Sequence, residues 1–157
     1  MPSSIVIRSS RAMASRHLSL AFAESATAGR LAYEYSRVPD SGTILKGGLV
    51  CYDARVKEEV LGVPVDMIRQ YSPESAEVTG ALAERLQLFM KPDITVAVTG
   101  LITPGGSETA SKPVGTIFIH ILMGNVSKAV REVFSGSPEQ RVLKTADRVA
   151  ELILNML

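Results

Sequence analysis

Three side chains suited to nucleophilic chemistry follow predicted strands in this 157-residue sequence. Ser25 follows the apolar run Leu18 to Ala23 and precedes small residues that lead into a helical pattern. Tyr52 ends a second apolar run, GGLVCY, and Lys57 lies five residues further on. A hydroxyl at a strand-to-helix junction meets unpaired N–H groups of the first helical turn, which suit an anionic intermediate or a phosphate. Ser25 is therefore a candidate nucleophile, and the alternative is that Ser25 or Thr27 is simply the helix N-cap.

A serine nucleophile needs a base, and the two histidines are poorly placed for that role. His17 precedes the first strand, and His120 lies inside the apolar run TIFIHILM, which is typical of a core or sheet-face histidine. Lysine is the remaining candidate. An ordinary lysine, with a pKa of about 10.4, is protonated at neutral pH, so Lys57 needs partial burial or a nearby cation to accept the serine proton. An exposed helical lysine is the alternative interpretation.

The strands that carry these residues are predicted from apolar runs. The runs cover residues 18–23, 47–52, 94–98 and 116–123. After the last of them, Gly124-Asn125 predicts a tight turn into an antiparallel partner over 127–134. The sequence therefore predicts three buried strands followed by a hairpin.

Helical patterns separate and follow these strands. The clearest begins at Ser72-Pro73-Glu74 and places one face at Val78, Leu82, Leu86 and Phe89. Another runs from Pro138 to the C-terminus, and weaker patterns cover 5–17, 27–37, 64–71 and a short segment after Asp53, its expected N-cap. Together they predict a single α/β domain over 1–157, a three-layer α/β/α fold with a mixed, mostly parallel sheet and a C-terminal hairpin plus helix.

Ligands of open α/β sheets collect beyond the carboxyl ends of the strands. Here those ends hold Ser25 with its neighbours, the segment Tyr52 to Lys57, and Thr99-Gly100 with the loop Pro104-Gly105-Gly106. A hydroxyl, a phenol, an amine and a glycine-rich loop are therefore expected in one crevice. Gly105 and Gly106 would bring backbone N–H groups close to a ligand phosphate, with an ordinary turn as the alternative.

Composition limits the kinds of partner. A net charge of +1 with interspersed acidic and basic residues argues against nucleic-acid and membrane binding and favours a small-molecule or protein partner. The one cysteine, Cys51, excludes an internal disulfide and a cysteine-rich zinc site and fits a reducing cytosol. The N-terminus has too short an apolar core for a signal peptide, and no run approaches a membrane span. A cytoplasmic protein is expected.

Several separated motifs agree in order and spacing with one known family. They are Ala23-Glu24-Ser25-x-Thr27, Gly47-Gly48-(x)3-Tyr52-(x)4-Lys57, Val98-Thr99-Gly100-(x)3-Pro104-Gly105-Gly106 and Lys112-Pro113-Val114-Gly115-Thr116. Together they resemble the C-terminal domain family of the competence and damage-inducible protein CinA, whose active members are nicotinamide mononucleotide amidases. The resemblance runs from about Leu18 to the C-terminus, and the chain is similar to a stand-alone form of that domain.

The resemblance implies hydrolysis of the carboxamide of nicotinamide mononucleotide to nicotinate mononucleotide and ammonia, with no metal and no cofactor. It implies Ser25 as the nucleophile, Lys57 as the general base and Tyr52 as the phenol that assists them. Thr99 matches a hydroxyl residue at the end of the third strand. Arg141 matches an arginine used near the substrate, and a solvated helix arginine is the alternative. The family tends to self-associate, and the apolar share of this chain permits a homo-oligomer.

The chemistry implied for Ser25 also needs groups that stabilise charge. Attack on the amide carbon builds negative charge on oxygen, and the N–H groups of Ala26 and Thr27 are expected to bind that oxyanion. Lys57 would then protonate the departing ammonia and activate water for deacylation.

The sequence departs from the family pattern on the presumed ligand side. Ala26-Thr27-Ala28-Gly29 stands for Cys-Thr-Gly-Gly, Asp40-Ser41-Gly42 for Gly-Ser-Ser, and Ile102-Thr103-Pro104 for Ala-Gly-Pro. The extra Cβ of Ala28 would crowd a ligand or shift the turn. Three hypotheses stay open: an amidase acting on nicotinamide mononucleotide, an amidase with a different carboxamide substrate, and a catalytically silent nucleotide- or partner-binding paralogue.

Overall fold

A computed structural model describes the whole chain, residues 1–157, as a sheet with helices on both faces. The strands are β1 Leu20–Glu24, β2 Leu45–Val50, β3 Ile94–Gly100, β4 Thr116–Met123 and β5 Val126–Val133. The helices are α1 Ser4–Ala14, α2 Arg30–Ser36, α3 Ser41–Ile44, α4 Ala54–Glu59, α5 Val65–Tyr71, α6 Ala76–Met90 and α7 Pro138–Met156. None of the helices is both long and apolar enough to span a lipid bilayer.

The sheet has the strand order β2-β1-β3-β4-β5. β1 pairs in parallel with β2 on one side and with β3 on the other, whereas β3 with β4 and β4 with β5 are antiparallel pairs. The carboxyl ends of β1, β2 and β3 therefore meet at one edge of the sheet, with β1 in the middle. The predicted mixed sheet with a C-terminal hairpin and helix is confirmed.

The two faces of the sheet pack against different helices. Side chains alternate along β1, so that Phe22 points into the core formed with α1, α2 and α7, while Ala21 and Ala23 point toward α5 and α6. Small residues on the second face let α6 lie close to the sheet, where Leu82 and Leu86 are fully buried. The predicted three-layer α/β/α arrangement is confirmed.

Helix α6 departs from its predicted apolar face in the last turn. Ser75 caps the helix by accepting from the N–H of Val78 at 3.2 Å. At the other end, Phe89 is 66% exposed, so its predicted burial is wrong. The physical reason is that Met90 is the residue of this turn that reaches the sheet, with its Cε beside Gly47 of β2.

Helix α2 begins three residues later than the sequence predicts. Its N-cap is Gly29, in a left-handed conformation with φ +91°, and no side chain caps the helix by the usual N-cap hydrogen bond. Residues 25–29 form the tight connection from β1, and Ala28 within it also has a positive φ of +49°. The alternative that Ser25 or Thr27 is the N-cap is therefore wrong.

The carboxylate of Glu24 occupies the N-terminus of α2 instead. Its Oε2 accepts from the N–H of Gly29 and of Leu31, each at 3.0 Å, and its Oε1 accepts from the N–H of Ala32 at 2.8 Å. The Thr27 hydroxyl donates to the same carboxylate at 2.6 Å. A buried anion that accepts several helix N–H groups satisfies both their hydrogen bonding and the positive end of the helix dipole. The positive end of the α2 dipole, which was expected to act at Ser25, thus acts on the Glu24 carboxylate.

Replacement of Glu24 with glutamine should lower the free energy of unfolding by about 2 kcal/mol or more, since the amide keeps one acceptor oxygen and places an NH₂ group among backbone donors. Urea denaturation followed by far-UV circular dichroism measures the change. Glu59→Gln is the matched control, because Glu59 is exposed and pairs only with Arg55 on the surface. Equal stabilities for the two variants would contradict the capping role of Glu24.

Replacement of Ala28 with glycine should raise the free energy of unfolding by about 0.5–1 kcal/mol. Alanine at a left-handed φ carries a steric cost of about 1 kcal/mol or more, part of which is offset by the extra freedom of glycine in the unfolded chain. The same denaturation assay applies. Ala26→Gly is the control, because Ala26 has no positive φ and its replacement should destabilise the protein. A loss of stability in Ala28→Gly would show that the left-handed backbone there is not strained.

Candidate active site

The structure brings Ser25 and Lys57 into direct contact. The Lys57 Nζ lies 3.1 Å from the Ser25 Oγ, and it donates a second hydrogen bond of 2.8 Å to the carbonyl oxygen of Cys51. Lys57 is only 1% exposed. The pairing is therefore a buried hydroxyl–amine contact, and the interpretation of Lys57 as an exposed helical lysine is wrong.

The strand ends fix the positions of both side chains. Ser25 directly follows β1, and its N–H donates to the carbonyl of Val98 on β3 at 3.0 Å. On the other side, the Cys51 N–H donates to the carbonyl of Glu24 at 2.8 Å, which extends the pairing of β1 with β2. Asp53 then caps α4, as predicted, by accepting from the N–H of Arg55 at 2.8 Å. α4 therefore starts at Ala54, and Lys57 on this helix reaches the Ser25 hydroxyl at the end of β1.

Burial changes the ionisation of Lys57 in the direction that a general base requires. Desolvation of the amine lowers the pKa of Lys57 below the ordinary value of 10.5, although nearby Cys51, Glu74 and Asp53 act in the opposite direction. Burial also raises the pKa of the Cys51 thiol, which favours the neutral thiol over the thiolate that would stabilise the lysine charge. Partial burial and a nearby cation were the two expected causes of a lowered lysine pKa. Burial is the one that acts on Lys57, and it favours the neutral amine.

Two backbone donors beside Ser25 have no acceptor within the protein. Among the backbone hydrogen bonds of this turn, the N–H of Ala28 donates to the Ser25 carbonyl at 3.1 Å and that of Arg30 to the Thr27 carbonyl at 2.9 Å. The N–H groups of Ala26 and Thr27 donate to no backbone carbonyl and to no side chain of the Glu24 network. They are the donors from which an oxyanion hole would be built.

An open cleft of about 140 Å³ gives access to Ser25. Five of the predicted site residues line it, namely Ser25, Ala26, Tyr52, Gly100 and Gly106. The other lining residues are Glu74, Leu101, Ile102, Thr103 and Ser107. Tyr52 is 68% exposed and is hydrogen-bonded to neither Ser25 nor Lys57. Ala28 is absent from the lining, so its Cβ does not narrow the cleft.

Thr99 and Arg141 lie outside the lining of this cleft. Thr99 is fully buried, and its hydroxyl pairs with that of Thr79 on α6 at 2.9 Å. The Arg141 guanidinium donates to the carbonyl of Ile102 at 2.6 Å and to that of Phe134 at 3.3 Å. Arg141 is thus neither a solvated arginine nor a cleft residue, and it fixes the chain that forms one wall of the cleft.

Gly105 and Gly106, the two glycines of the loop, have different surroundings. Gly106 lines the cleft, whereas the N–H of Gly105 donates to the Glu108 carboxylate at 2.8 Å. This hydrogen bond is the main reason that the pKa of Glu108 lies below its usual value. The Glu108 carboxylate therefore accepts the hydrogen bond of the Gly105 N–H group that was expected to bind a ligand phosphate.

Hydrogen bonds of Lys112 and Ser107 connect the loop after β3 to the turn before α6. Glu74, in that turn, is not among the predicted site residues. The Lys112 Nζ donates to the Ser72 hydroxyl at 2.7 Å and to the Glu74 carbonyl at 2.8 Å. The Ser107 hydroxyl donates to the Glu74 carboxylate at 2.9 Å. Of these residues, Lys112 had a signal in the motif shared with the family. Glu74 has no such signal, because a glutamate after Ser72-Pro73 is typical of a helix start.

The structure contains no group of three or more histidine, cysteine, aspartate or glutamate side chains placed to bind one metal ion.

Comparisons with known proteins agree with this architecture. The family model described as the CinA C-terminal domain matches residues 3–157. A CinA-like protein of Thermotoga neapolitana is 39% identical over 117 residues, which are 74% of this chain and 28% of the relative. One of Gemmatimonas aurantiaca is 34% identical over 144 residues, 92% of this chain and 32% of the relative. The chain thus spans about a third of the length of these curated relatives.

Solved structures show the same fold. A competence-damaged protein (CinA) superfamily protein from Escherichia coli superposes with a TM-score of 0.92 at 23% identity, covering 100% of this chain and 91% of the other. The competence damage-inducible protein A from Klebsiella pneumoniae gives a TM-score of 0.89 at 25% identity, covering 95% and 92%. Because the family model matches nearly every residue, this chain belongs to the CinA C-terminal domain family.

Proposed function

We propose that this chain is a serine amidohydrolase that uses Ser25 as its nucleophile and Lys57 as its base, and that it hydrolyses the carboxamide of nicotinamide mononucleotide. The observation that carries the proposal is the 3.1 Å contact between the Ser25 hydroxyl and an almost fully buried lysine amine. A module that only binds a ligand has no evident need for such a pair. The proposed substrate rests on the motifs that this chain shares with the family.

The first half of the reaction forms an ester. The neutral Lys57 amine takes the proton of the Ser25 hydroxyl as Oγ attacks the carboxamide carbon, and the carbonyl electron pair moves onto oxygen. The free N–H groups of Ala26 and Thr27 stabilise that oxyanion. The lysine then returns its proton to the amide nitrogen, the C–N bond breaks, and ammonia leaves behind an acyl ester on Ser25.

The second half restores the protein. Lys57 takes a proton from water, the resulting hydroxide attacks the ester carbon, and the same N–H groups stabilise the second oxyanion. The C–O bond to Ser25 breaks, and Oγ recovers its proton from Lys57. The products are a carboxylic acid and ammonia.

A different carboxamide substrate is the second candidate, because of the contacts of the glycine loop. The N–H of Gly105 is engaged by Glu108, and the Arg141 guanidinium is engaged by two backbone carbonyls. The Gly105 N–H and the Arg141 guanidinium, both suited to bind a phosphate, therefore already donate to acceptors of the protein.

Removal of either member of the pair should abolish hydrolysis. Purified Ser25→Ala and Lys57→Ala, incubated with nicotinamide mononucleotide, should release ammonia and nicotinate mononucleotide at least about a hundredfold more slowly than the unmodified protein. Ser36→Ala and Lys128→Ala, at exposed positions away from the cleft, are the matched controls. Turnover that survives in both Ser25→Ala and Lys57→Ala would refute the proposed pair. Saturable binding without turnover would favour the silent paralogue, and turnover confined to other carboxamides would favour the second candidate.

The rate should rise with pH through the ionisation of Lys57. Burial disfavours the charged amine, so the neutral form that accepts the serine proton is populated at lower pH than in an exposed lysine. In a pH profile of kcat/KM, we expect an ascending limb with its midpoint below 10.5, the ordinary lysine pKa. A midpoint at or above that value, or no ascending limb, would be evidence against Lys57 as the base.

A further inference from the structure

Glu74 is the one charged side chain in the lining of the cleft, and it is acidic. It comes from the turn between α5 and α6 and faces the same space as Ser25. The Ser107 hydroxyl donates to its Oε2 at 2.9 Å, which leaves Oε1 available to a ligand. Lys57 is buried behind Ser25 and is not part of the cleft lining.

The Tyr52 ring is the second feature of the cleft that would attract a cation. Its side chain is largely exposed in the same lining as Glu74. Two arginines stack on Tyr33 and one on Phe118, but no cation of the chain covers Tyr52. A free aromatic face carries negative potential and favours a positively charged group above it.

We propose that Glu74, together with the ring of Tyr52, selects carboxamides carried on a positively charged ring over the same carboxamides on a neutral ring. The inference rests on the proposed function, whose substrate is such a compound, since its nicotinamide ring is a pyridinium cation. Nicotinamide mononucleotide in its reduced, dihydropyridine form keeps the carboxamide, ribose and phosphate but loses the ring charge. The two forms therefore differ in the property that Glu74 would recognise.

The hydrogen bonds around Glu74 hold its carboxylate at the cleft. Its backbone carbonyl accepts from Lys112, and Lys112 also donates to Ser72, so the turn before α6 is fixed to the glycine loop. Because Ser107 is bound to the carboxylate, a merely structural role for Glu74 is the alternative. Glutamine keeps an acceptor oxygen for Ser107 and removes only the charge, so Glu74→Gln separates the two roles.

Calorimetric titration of the Ser25→Ala variant with the oxidised and reduced mononucleotides tests the proposal without turnover. We expect tighter binding of the oxidised form, and Ser25→Ala/Glu74→Gln should weaken its binding about fivefold while leaving the reduced form unchanged. Adding Tyr52→Leu should reduce the same preference, whereas Tyr52→Phe should keep it. Glu77→Gln is the matched control, because Glu77 lies in the first turn of α6, three residues after Glu74, and outside the cleft lining.

Equal weakening of both forms in Glu74→Gln would assign Glu74 a structural role and overturn the proposal, as would failure of either form to bind. Failure of the proposed function has a different signature. It would appear as no ammonia release by the unmodified protein, whereas the ratio of the two affinities in Ser25→Ala would still report charge selection.

Discussion

The burial of one amine against one hydroxyl is the constraint on which the rest of this structure depends. A lysine is an effective base only when its charged form is disfavoured, and here the cause is desolvation beneath the end of β1. The nearby carboxylates of Glu74 and Asp53 favour the charged form, so burial has to outweigh them. The parallel pairing of β1 with β2 and β3 provides that enclosure, since it brings three strand ends together around Ser25 and Lys57.

The positive end of α2 serves the architecture of the site more than its chemistry. Glu24 accepts three backbone N–H groups there, so the helix dipole is compensated within the protein. In the proposed reaction, the oxyanion would instead be bound by the free N–H groups of Ala26 and Thr27, in the turn that Glu24 holds in place through the Thr27 hydroxyl. The same turn holds Ala28 in a left-handed backbone, a conformation that glycine adopts without the steric cost of a Cβ.

The fold and the Ser25–Lys57 contact could be predicted from sequence because both follow from local patterns and strand order. Apolar runs indicate strands, strand ends in a parallel sheet converge, and Ser25 and Lys57 each follow a strand end. Residues whose role depends on contacts distant in sequence could not be assigned in this way. The position of Thr99 at a strand end predicts a site hydroxyl, but its hydroxyl pairs with that of Thr79, twenty residues earlier in the chain. Glu74 accepts a hydrogen bond from Ser107, and Arg141 donates one to the carbonyl of Ile102, so both contact the loop after β3. Within that loop, Glu108 accepts from the Gly105 N–H because the loop folds back on itself.

The ionisation of the Lys57 amine can be measured directly by NMR. Protein labelled with ¹³C at the lysine Cε should show one lysine resonance that is lost in Lys57→Met and titrates with a midpoint below 10.5, the ordinary value from which burial lowers the pKa. The exposed lysines serve as internal references in the same spectra. A Lys57 midpoint at or above 10.5 would mean that the amine is held charged against Ser25, and it would contradict the account of Lys57 as a base.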